Sequence, residues 1–390
     1  MENSEDLDQV LKDLDLIEQR VNQKRDKRGK QEMKKGDKKR EDIKEWLESK
    51  LPKIQVFGVG GAGNNTVTNL NGKHERVETI AVNTDAHQLL SSNADELLLL
   101  GKDLCNGHGA GNRPEIGEKA AKESTDDLKA KLNEGDLIFL TCGLGGGTGT
   151  GATPYIAEIA NRMDKTVVSV CTLPFAKEGK TKMRNAEWGL KRILEFSDTK
   201  IIVPNENLLN VAPNAGIMQA FQLVDDILVK AITGISDLIT DTNSVINVDY
   251  EDVRKTLSSG GTCLIGIGEI PSGTKDKGRA LIKDAIENPL LRTSPESAKN
   301  ALLNIYGGNS LSLREATDIV GSISELIGEE KEIIWGLTVR EEFSDVLRAV
   351  VMLSGIRPKF INGEGKVELS TIYSLEEMRE ESPFDKIPRI

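Results

Sequence analysis

The chain has 390 residues, 38% hydrophobic and 29% charged, with a net charge of −11. That length supports two domains with cores, and the acidic balance argues against a body that coats nucleic acid or an anionic membrane. Aromatic residues make up only 4%, too few for the stacking platforms of single-strand binders. Cys105, Cys142, Cys171 and Cys263 lie far apart in the chain with no CxxC pair, which reads as reduced, buried thiols of a cytosolic protein and not as a disulfide or zinc framework. No apolar run approaches the roughly 18 residues of a membrane span, and the charged N-terminus does not read as a signal peptide.

Residues 1–50 stand apart in composition. They hold 14 acidic and 14 basic residues, so the other 340 carry the net charge. Seven acids and one lysine fall in 1–19, whereas eleven bases and three acids fall in 20–40. Leu7, Val10, Leu14, Ile17 and Val21 follow 3-4-3-4 spacing, an a/d seam too short to hold a coiled coil alone. The expectation is a frayed amphipathic helix and a basic linker, with a partner- or surface-binding arm as the alternative. Residues 41–50 read as a short helix that sets Ile43, Trp46 and Leu47 on the body.

From Lys53 the pattern alternates. Strands are expected at 54–58, 78–83, 96–100, 137–142, 167–173 and 200–203, with helices at 114–132, 152–163 and 184–196. Such alternation predicts an α/β fold whose mostly parallel sheet carries helices on both faces. A long central helix is expected at 217–240, with Phe221, Val224, Leu228, Ile232 and Ile235 at helical spacing. Strands at 262–268, 300–306, 332–339 and 347–354, with helices at 276–287 and 313–327, predict a smaller α/β C-terminal domain with a mixed sheet. The divisions expected are 1–50, a charged extension; 51–216, a nucleotide-binding domain; 217–260, the central helix and the loop after it; 261–358, the C-terminal domain; and 359–390, a polar tail.

Three glycine-rich stretches follow three different strands. The longest runs Cys142-Gly143-Leu144-Gly145-Gly146-Gly147-Thr148-Gly149-Thr150-Gly151. Glycine lets backbone N–H groups close on an anion, and the helix N-terminus behind adds its positive dipole end. The stretch reads as a phosphate cradle. The second is Gly58-Val59-Gly60-Gly61-Ala62-Gly63-Asn64-Asn65, in which Gly58, Gly60 and Gly63 satisfy the G-x-G-x-x-G dinucleotide pattern. With Asp85 near the end of the second strand, a Rossmann oxidoreductase is the rival reading. The third is Gly107-His108-Gly109-Ala110-Gly111-Asn112-Arg113-Pro114. A dinucleotide pyrophosphate needs one such loop, whereas a triphosphate gripped from several sides accounts for three. No G-x-x-x-x-G-K-[ST] sequence occurs, so a P-loop enzyme is excluded.

Taken together the motifs resemble the tubulin/FtsZ superfamily of GTPases, whose signature is Gly145-Gly146-Gly147-Thr148-Gly149-Thr150-Gly151. The stretch 58–65, Asn83-Thr84-Asp85-Ala86, Gly109-Ala110-Gly111, Thr172-Leu173-Pro174-Phe175, Glu178-Gly179-Lys180, Pro204-Asn205 and Asn247-Val248-Asp249-Tyr250-Glu251-Asp252-Val253 complete the likeness. It covers about 53–358 and is to FtsZ, the prokaryotic cell-division GTPase, more than to eukaryotic tubulin. The charged extension and short tail resemble archaeal members.

The resemblance implies a tubulin-like GTPase domain that binds GTP and GDP, with Mg²⁺ carried mainly by the nucleotide phosphates and no protein metal site. Gly61, Ala62, Gly63, Asn64 and Asn65 would contact the α- and β-phosphates, with Asn83 and Asp85 close by. Gly109, Ala110, Gly111 and Asn112 would lie near the γ-phosphate and Mg²⁺. Gly147, Thr148 and Gly149, within the signature's Gly145, Gly146 and Thr150, would hold phosphate oxygens. Pro174 and Glu178 would flank the ribose, while Asn205 and Asp225 would read guanine. Where the family usually has arginine after the Glu-Gly-Lys stretch, this chain has Lys182, with Arg184 as a substitute; lysine supplies charge but no bidentate fork. His108 stands where an apolar residue is more usual.

By the same resemblance Asn247, Asp249 and Asp252 are catalytic and serve the nucleotide of a neighbouring subunit, polarising water for attack on the γ-phosphate. The partner is then a second copy in a head-to-tail filament. The expected setting is cytoplasmic, at the division site beneath the membrane, with a membrane tether docked on the C-terminal tail (Phe384, Ile387, Ile390) or the N-terminal arm, and without nucleic acid. The alternative of another class is a slow-hydrolysing polymer that shapes cells.

Overall fold

The computed structural model describes residues 46, 51–208, 214, 216–240, 244–246, 248–258, 261–286, 295–356, 367 and 369. The chain divides into two compact units, Met1–Leu51 and Pro52–Ile390. In the first, Trp46 is helical and exposed; Ile43, Leu47 and the seam from Leu7 to Val21 lie outside the described residues.

The second unit is organised by its strands: β1 Ile54–Val59, β2 Val77–Asn83, β3 Glu96–Leu99, β4 Leu137–Gly143, β5 Thr166–Leu173, β6 Thr199–Pro204, β7 Thr262–Pro271, β8 Asn300–Gly307, β9 Glu332–Val339 and β10 Val346–Ile356. They form one ten-stranded sheet in the order β3-β2-β1-β4-β5-β6-β7-β10-β8-β9. From β3 to β6 every pairing is parallel. The apolar runs of β1, β4 and β5 are buried along almost their whole length, as strands covered on both faces must be. β6 meets β7 through two residue pairs, Lys200↔Thr262 and Ile201↔Cys263. Beyond that joint the sheet is mixed: β10 runs antiparallel to β7 and β8, and β8 parallel to β9.

The helices are α1 Gly60–Leu70, α2 Ala86–Leu90, α3 Lys102–Cys105, α4 Pro114–Glu123, α5 Thr125–Leu132, α6 Thr148–Arg162, α7 Lys180–Phe196, α8 Ile217–Thr240, α9 Tyr250–Ser258, α10 Lys277–Ile286 and α11 Leu313–Ile327. One core cluster gathers apolar residues of α1 and α8 to α11, and a second gathers those of α3 to α7; over the mixed part of the sheet α8 packs on Val350 and α10 on the opposite face, at Gly266 and Gly268. Val367 and Leu369, from the stretch expected to be a polar tail, are buried in this second cluster. The Leu369 N–H donates to Glu187 Oε1 at 3.4 Å.

Two expected helices differ in their limits. The span 114–132 breaks at Ser124, whose hydroxyl oxygen accepts from the Gly101 N–H at 3.1 Å, while Thr125 Oγ1 donates to the Lys122 carbonyl. Short hydroxyl side chains offer the backbone such alternatives to the helical ladder. The helix expected from 152 begins at Thr148, so two of the signature glycines, Gly149 and Gly151, are helical. Their use is close approach: a Cβ on Gly151 would overlap the Pro114 carbonyl oxygen of α4.

Helix α8, about 36 Å long at 1.5 Å per residue, ties the two parts of the sheet together. Asp237 near its C-terminal end accepts from the Tyr306 hydroxyl of β8 at 2.6 Å. His74 Nε2, from the turn after α1, stands 3.3 Å from the same carboxylate, and Arg340 Nη2 stands 3.5 Å away. Burial alone would raise the Asp237 carboxyl; the hydrogen bonds from His74 and Tyr306 outweigh it and hold the group below the usual range.

Replacing Gly151 by alanine is expected to destabilise the fold by about 1–3 kcal/mol, the usual range for overpacking, despite alanine's better helix propensity. Urea unfolding of Gly151→Ala checks this; unchanged or higher stability would show that the two helices separate freely.

Candidate functional site

A cavity of about 240 Å³ opens at the carboxyl ends of the central parallel strands, where ligands of open α/β sheets bind. Its floor is Thr141, Cys142 and Gly143 from the end of β4, and Thr172 from β5. Leu144, Gly146, Pro174 and Asn205 follow the strands. Helix α1 contributes Ala62, Asn65 and Thr66, helix α7 contributes Lys182, and helix α8 contributes Phe221, Val224, Asp225 and Leu228.

Beside the cavity two helix N-termini meet. A Cβ on Gly60, the first residue of α1, would stand 2.9 Å from the Gly149 nitrogen in the first turn of α6. Only a residue at ease at positive φ fits here, and Gly60 has φ 73°. Neither helix has an acidic residue in its first turn. The orphan N–H groups and positive dipole ends of both helices are therefore uncompensated, which is the electrostatic form of an anion site. Gly145, at φ 108°, turns the chain so that its N–H donates to Thr150 Oγ1 at 2.9 Å.

The expected site residues divide by what they touch. Ala62, Asn65, Gly146, Pro174, Glu178, Lys182, Asn205 and Asp225 line the cavity. Gly61 faces the Gln88 side chain, Gly63 packs on the Thr141 carbonyl, and Gly149 packs beneath the Gly143 and Val59 carbonyls. Asn64 Oδ1 accepts from Asn83 Nδ2 at 2.6 Å in the buried interior. Asp85, the ribose acid of the rival Rossmann reading, instead caps α2 by accepting from the Gln88 N–H at 3.0 Å. Gly109, Ala110, Gly111 and Asn112 form a shoulder beside the signature loop. The Gly109 N–H donates to the Thr84 carbonyl, and Asn185 Nδ2 donates to the carbonyls of Asn112 and Gly145, both at 3.1 Å. Gly147 lies against Ala110, and Thr148 Oγ1 is 2.7 Å from Thr84 Oγ1. Lys182 Nζ pairs with Glu178 Oε2 at 2.6 Å, while Arg184 is exposed and not among the lining residues. His108 forms a backbone bridge with Asp85.

Thr66 and Asn69 were not among the expected residues. Thr66 Oγ1 donates to Asp225 Oδ1 at 2.9 Å and Asn69 Nδ2 to Asp225 Oδ2 at 3.2 Å. A signal was present, because Asp225 shares one helical face with Phe221, Val224 and Leu228. An acid on an apolar stripe is costly unless it is paired or used. Burial pushes the Asp225 carboxyl above its usual range; Asp226 adds to this, while the bonds from Thr66 and Asn69 oppose it.

The acids expected to be catalytic lie elsewhere. Asp249 and Asp252 are exposed at the start of α9; Asn247 is outside the described residues. Tyr250 stands beside Thr166, the first residue of β5, and Thr199, the first residue of β6, donates to the Leu257 carbonyl at 2.6 Å. Helix α9 therefore crosses the amino ends of these strands, while the cavity stands at their carboxyl ends. The eight residues of β5 put about 23 Å between the two levels.

Residues 53–213 match the tubulin/FtsZ family GTPase domain, so the part of the chain that carries the cavity is a tubulin-type GTPase domain. Residues 261–357 match the FtsZ family C-terminal domain. The chain belongs to the FtsZ family, a GTPase that binds GTP and GDP, and the oxidoreductase reading of Gly58, Gly60 and Gly63 is overturned. "Cell division protein FtsZ 1" of Methanocaldococcus jannaschii is 41% identical over 82% of this chain and 87% of its own length. Its namesake in Pyrococcus furiosus is 43% identical over 85% of this chain and 88% of its own. A solved FtsZ dimer from M. jannaschii has a TM-score of 0.75 at 41% identity, covering 81% of this chain and 92% of that one.

The Asp225 geometry makes a pH prediction for ligand-free protein. Its folded pKa lies above the unfolded value of about 3.9, so the stability linked to this group is full below that value and is lost as pH rises through the folded pKa. Asp225→Asn lacks this loss. The stability difference in favour of the variant should grow from about pH 4 upward and level off above the raised pKa, as read by chemical denaturation across pH. A constant difference would contradict the burial account.

Proposed function

We propose that the chain is a self-assembling cell-division GTPase in which GTP held by one subunit is hydrolysed with acids supplied by the next. The observation that carries this reading is the separation of cavity and acids to opposite ends of the same parallel strands. Asp249 and Asp252 cannot reach a nucleotide in their own cavity, but a second copy stacked in the same orientation brings its acid end to that cavity. Such a head-to-tail contact is heterologous and generates a filament. The solved relative from M. jannaschii titled an FtsZ dimer supports self-association.

Within the cavity, Asp225 accepts from the N1–H and 2-amino group of guanine, giving up Thr66 and Asn69 in part, while Asn205 reads the opposite edge. Adenine offers no matching donors there. The Phe221 ring, set edge-on to Phe175 at 6.2 Å, provides an apolar face for the base. Pro174 and Glu178 flank the ribose, and Lys182 lends positive charge. The phosphates run toward the meeting N-termini of α1 and α6, where Gly61 to Asn65 and Gly145 to Thr150 present N–H groups, with the shoulder from Gly109 to Asn112 beyond. Mg²⁺ keeps several waters and takes phosphate oxygens. Held beside the shoulder from Gly109 to Asn112, it would neutralise charge on the phosphates. Asn247, Asp249 and Asp252 of the adjoining copy orient and polarise the attacking water.

Assembly beneath the membrane at the division site, in the cytoplasm, completes the reading. The tether docks on the tail after 380 or on the basic arm at 20–40. Among the described residues no helix is long and apolar enough to cross a membrane.

Asp252→Ala is expected to bind GTP and assemble normally while its hydrolysis falls by about a hundredfold or more, the scale of losing a positioned acid–base group. Asp225→Ala should lose GTP affinity. Mixed, the two inactive variants should regain hydrolysis, because one interface in the mixed filament pairs an intact nucleotide with intact acids. Phosphate release measured on each variant and on the mixture tests this, and a mixture as inactive as its parts would sink the shared site. GTPase rate per subunit should also rise steeply with protein concentration; a rate that stays near zero while filaments form would favour the slow-hydrolysing polymer.

A further inference from the structure

The fold brings two of the four scattered cysteines together. Cys142 of β4 and Cys171 of β5 are register partners, and their sulfurs lie 3.6 Å apart. Both are free thiols and both are buried. Each stands one residue before a member of the cavity floor, Gly143 and Thr172, and Cys142 lines the cavity as well. Cys142 also supports the phosphate side of the site: a Cβ on Gly149, in the first turn of α6, would stand 3.4 Å from the Cys142 Cβ.

Partners on neighbouring strands are about 4.8 Å apart, within the Cα range of about 4.4–6.8 Å that a disulfide tolerates. An unstrained bridge wants its Cβ atoms about 3.8 Å apart, closer than the strand spacing. A bond here must bring the two sulfurs from 3.6 Å to about 2.05 Å, which shifts the rung beneath the cavity. Strained bridges of this kind are the readily reduced, labile ones.

We propose that Cys142 and Cys171 form a reversible thiol–disulfide pair that, when oxidised, closes the nucleotide site; this regulation rests on the nucleotide reading of the cavity. The oxidant is hydrogen peroxide admitted through the cavity. The Cys142 sulfur attacks the peroxide oxygen, the O–O bond breaks, and Cys142 becomes a sulfenic acid as water leaves. The Cys171 sulfur then attacks the Cys142 sulfur, the S–O bond breaks, and the hydroxyl leaves as a second water with the Cys171 proton. Two thiols give up two electrons and two protons, and the peroxide is reduced to two waters. Cys142 lines the cavity and Cys171 does not, which makes Cys171 the second, resolving sulfur. Bound nucleotide covers the route and protects the pair.

The test uses the full chain, nucleotide-free and reduced, treated with hydrogen peroxide, alkylated and mapped by mass spectrometry without reduction. Expected are a loss of two hydrogens, a joined Cys142–Cys171 peptide pair, and GTP affinity lower by at least about tenfold, restored by dithiothreitol. Prior GTP should slow the joining. Cys171→Val should bind GTP as the unmodified chain does and keep that affinity after peroxide. Absence of the joined peptides overturns the proposal, as does a joined protein that binds GTP unchanged or an equal loss in Cys171→Val. If the reduced chain bound no GTP, the nucleotide reading itself would fall, and the joined peptides would still score the thiol chemistry independently.

Discussion

Backbone packed directly on backbone is the constraint from which the rest of this structure follows. Helix α1 leaves β1 so tightly that a Cβ on Gly58 or Gly63 would overlap the other residue or the Thr141 carbonyl. Helix α6 also lies close: a Cβ on Gly149 would stand 2.9 Å from the Gly143 carbonyl oxygen and 3.1 Å from that of Val59. Only these approaches let two helix N-termini meet at one point at the end of the sheet. A side chain at any of these positions would push the helices apart and dissolve the shared positive field. The glycines are therefore mostly structural in what they touch and electrostatic in what they permit.

The second organising element is α8, which carries two engaged carboxylates, Asp225 towards its middle and Asp237 near its C-terminal end. Asp225 is bound by α1, the same helix whose first turn borders the cavity. Asp237 is bound by β8 and by the turn that ends α1. Helix α1 is thus held to α8 at two points, and α8 to the mixed part of the sheet at one of them. The two acids differ in what holds them. Asp237 is surrounded by cationic and hydroxyl donors that more than offset its burial, whereas Asp225 has two neutral donors and an acidic neighbour that leave burial dominant. An acid left short of donors is the one positioned to accept more of them.

Regular elements were legible in the chain because their patterns are strong. Buried parallel strands read as unbroken apolar runs, and α8 and α11 as apolar stripes at helical spacing. Limits were less legible. The break at Ser124 depends on Gly101, which is distant in sequence, and the early start of α6 depends on carbonyls that receive its glycines. The glycine stretches and Asp225 were visible as a site through their family likeness. Thr66 and Asn69 were not, since an ordinary threonine and asparagine gain their role only when α8 crosses α1. The pairing of Cys142 with Cys171 was hidden for the same reason, because strand register is a property of the assembled sheet.

The cavity lies at one end of β5 and the acids at the other. In a filament built as proposed, every junction is alike but the two tips are not. At one tip the last nucleotide has no acids above it, and at the other the last acids have no nucleotide below. A subunit that has just joined by its acid end keeps its own nucleotide intact until the next arrives. Strand direction within a single subunit thereby sets a clock at one tip of the polymer, where the age of a subunit is recorded as the state of its phosphate.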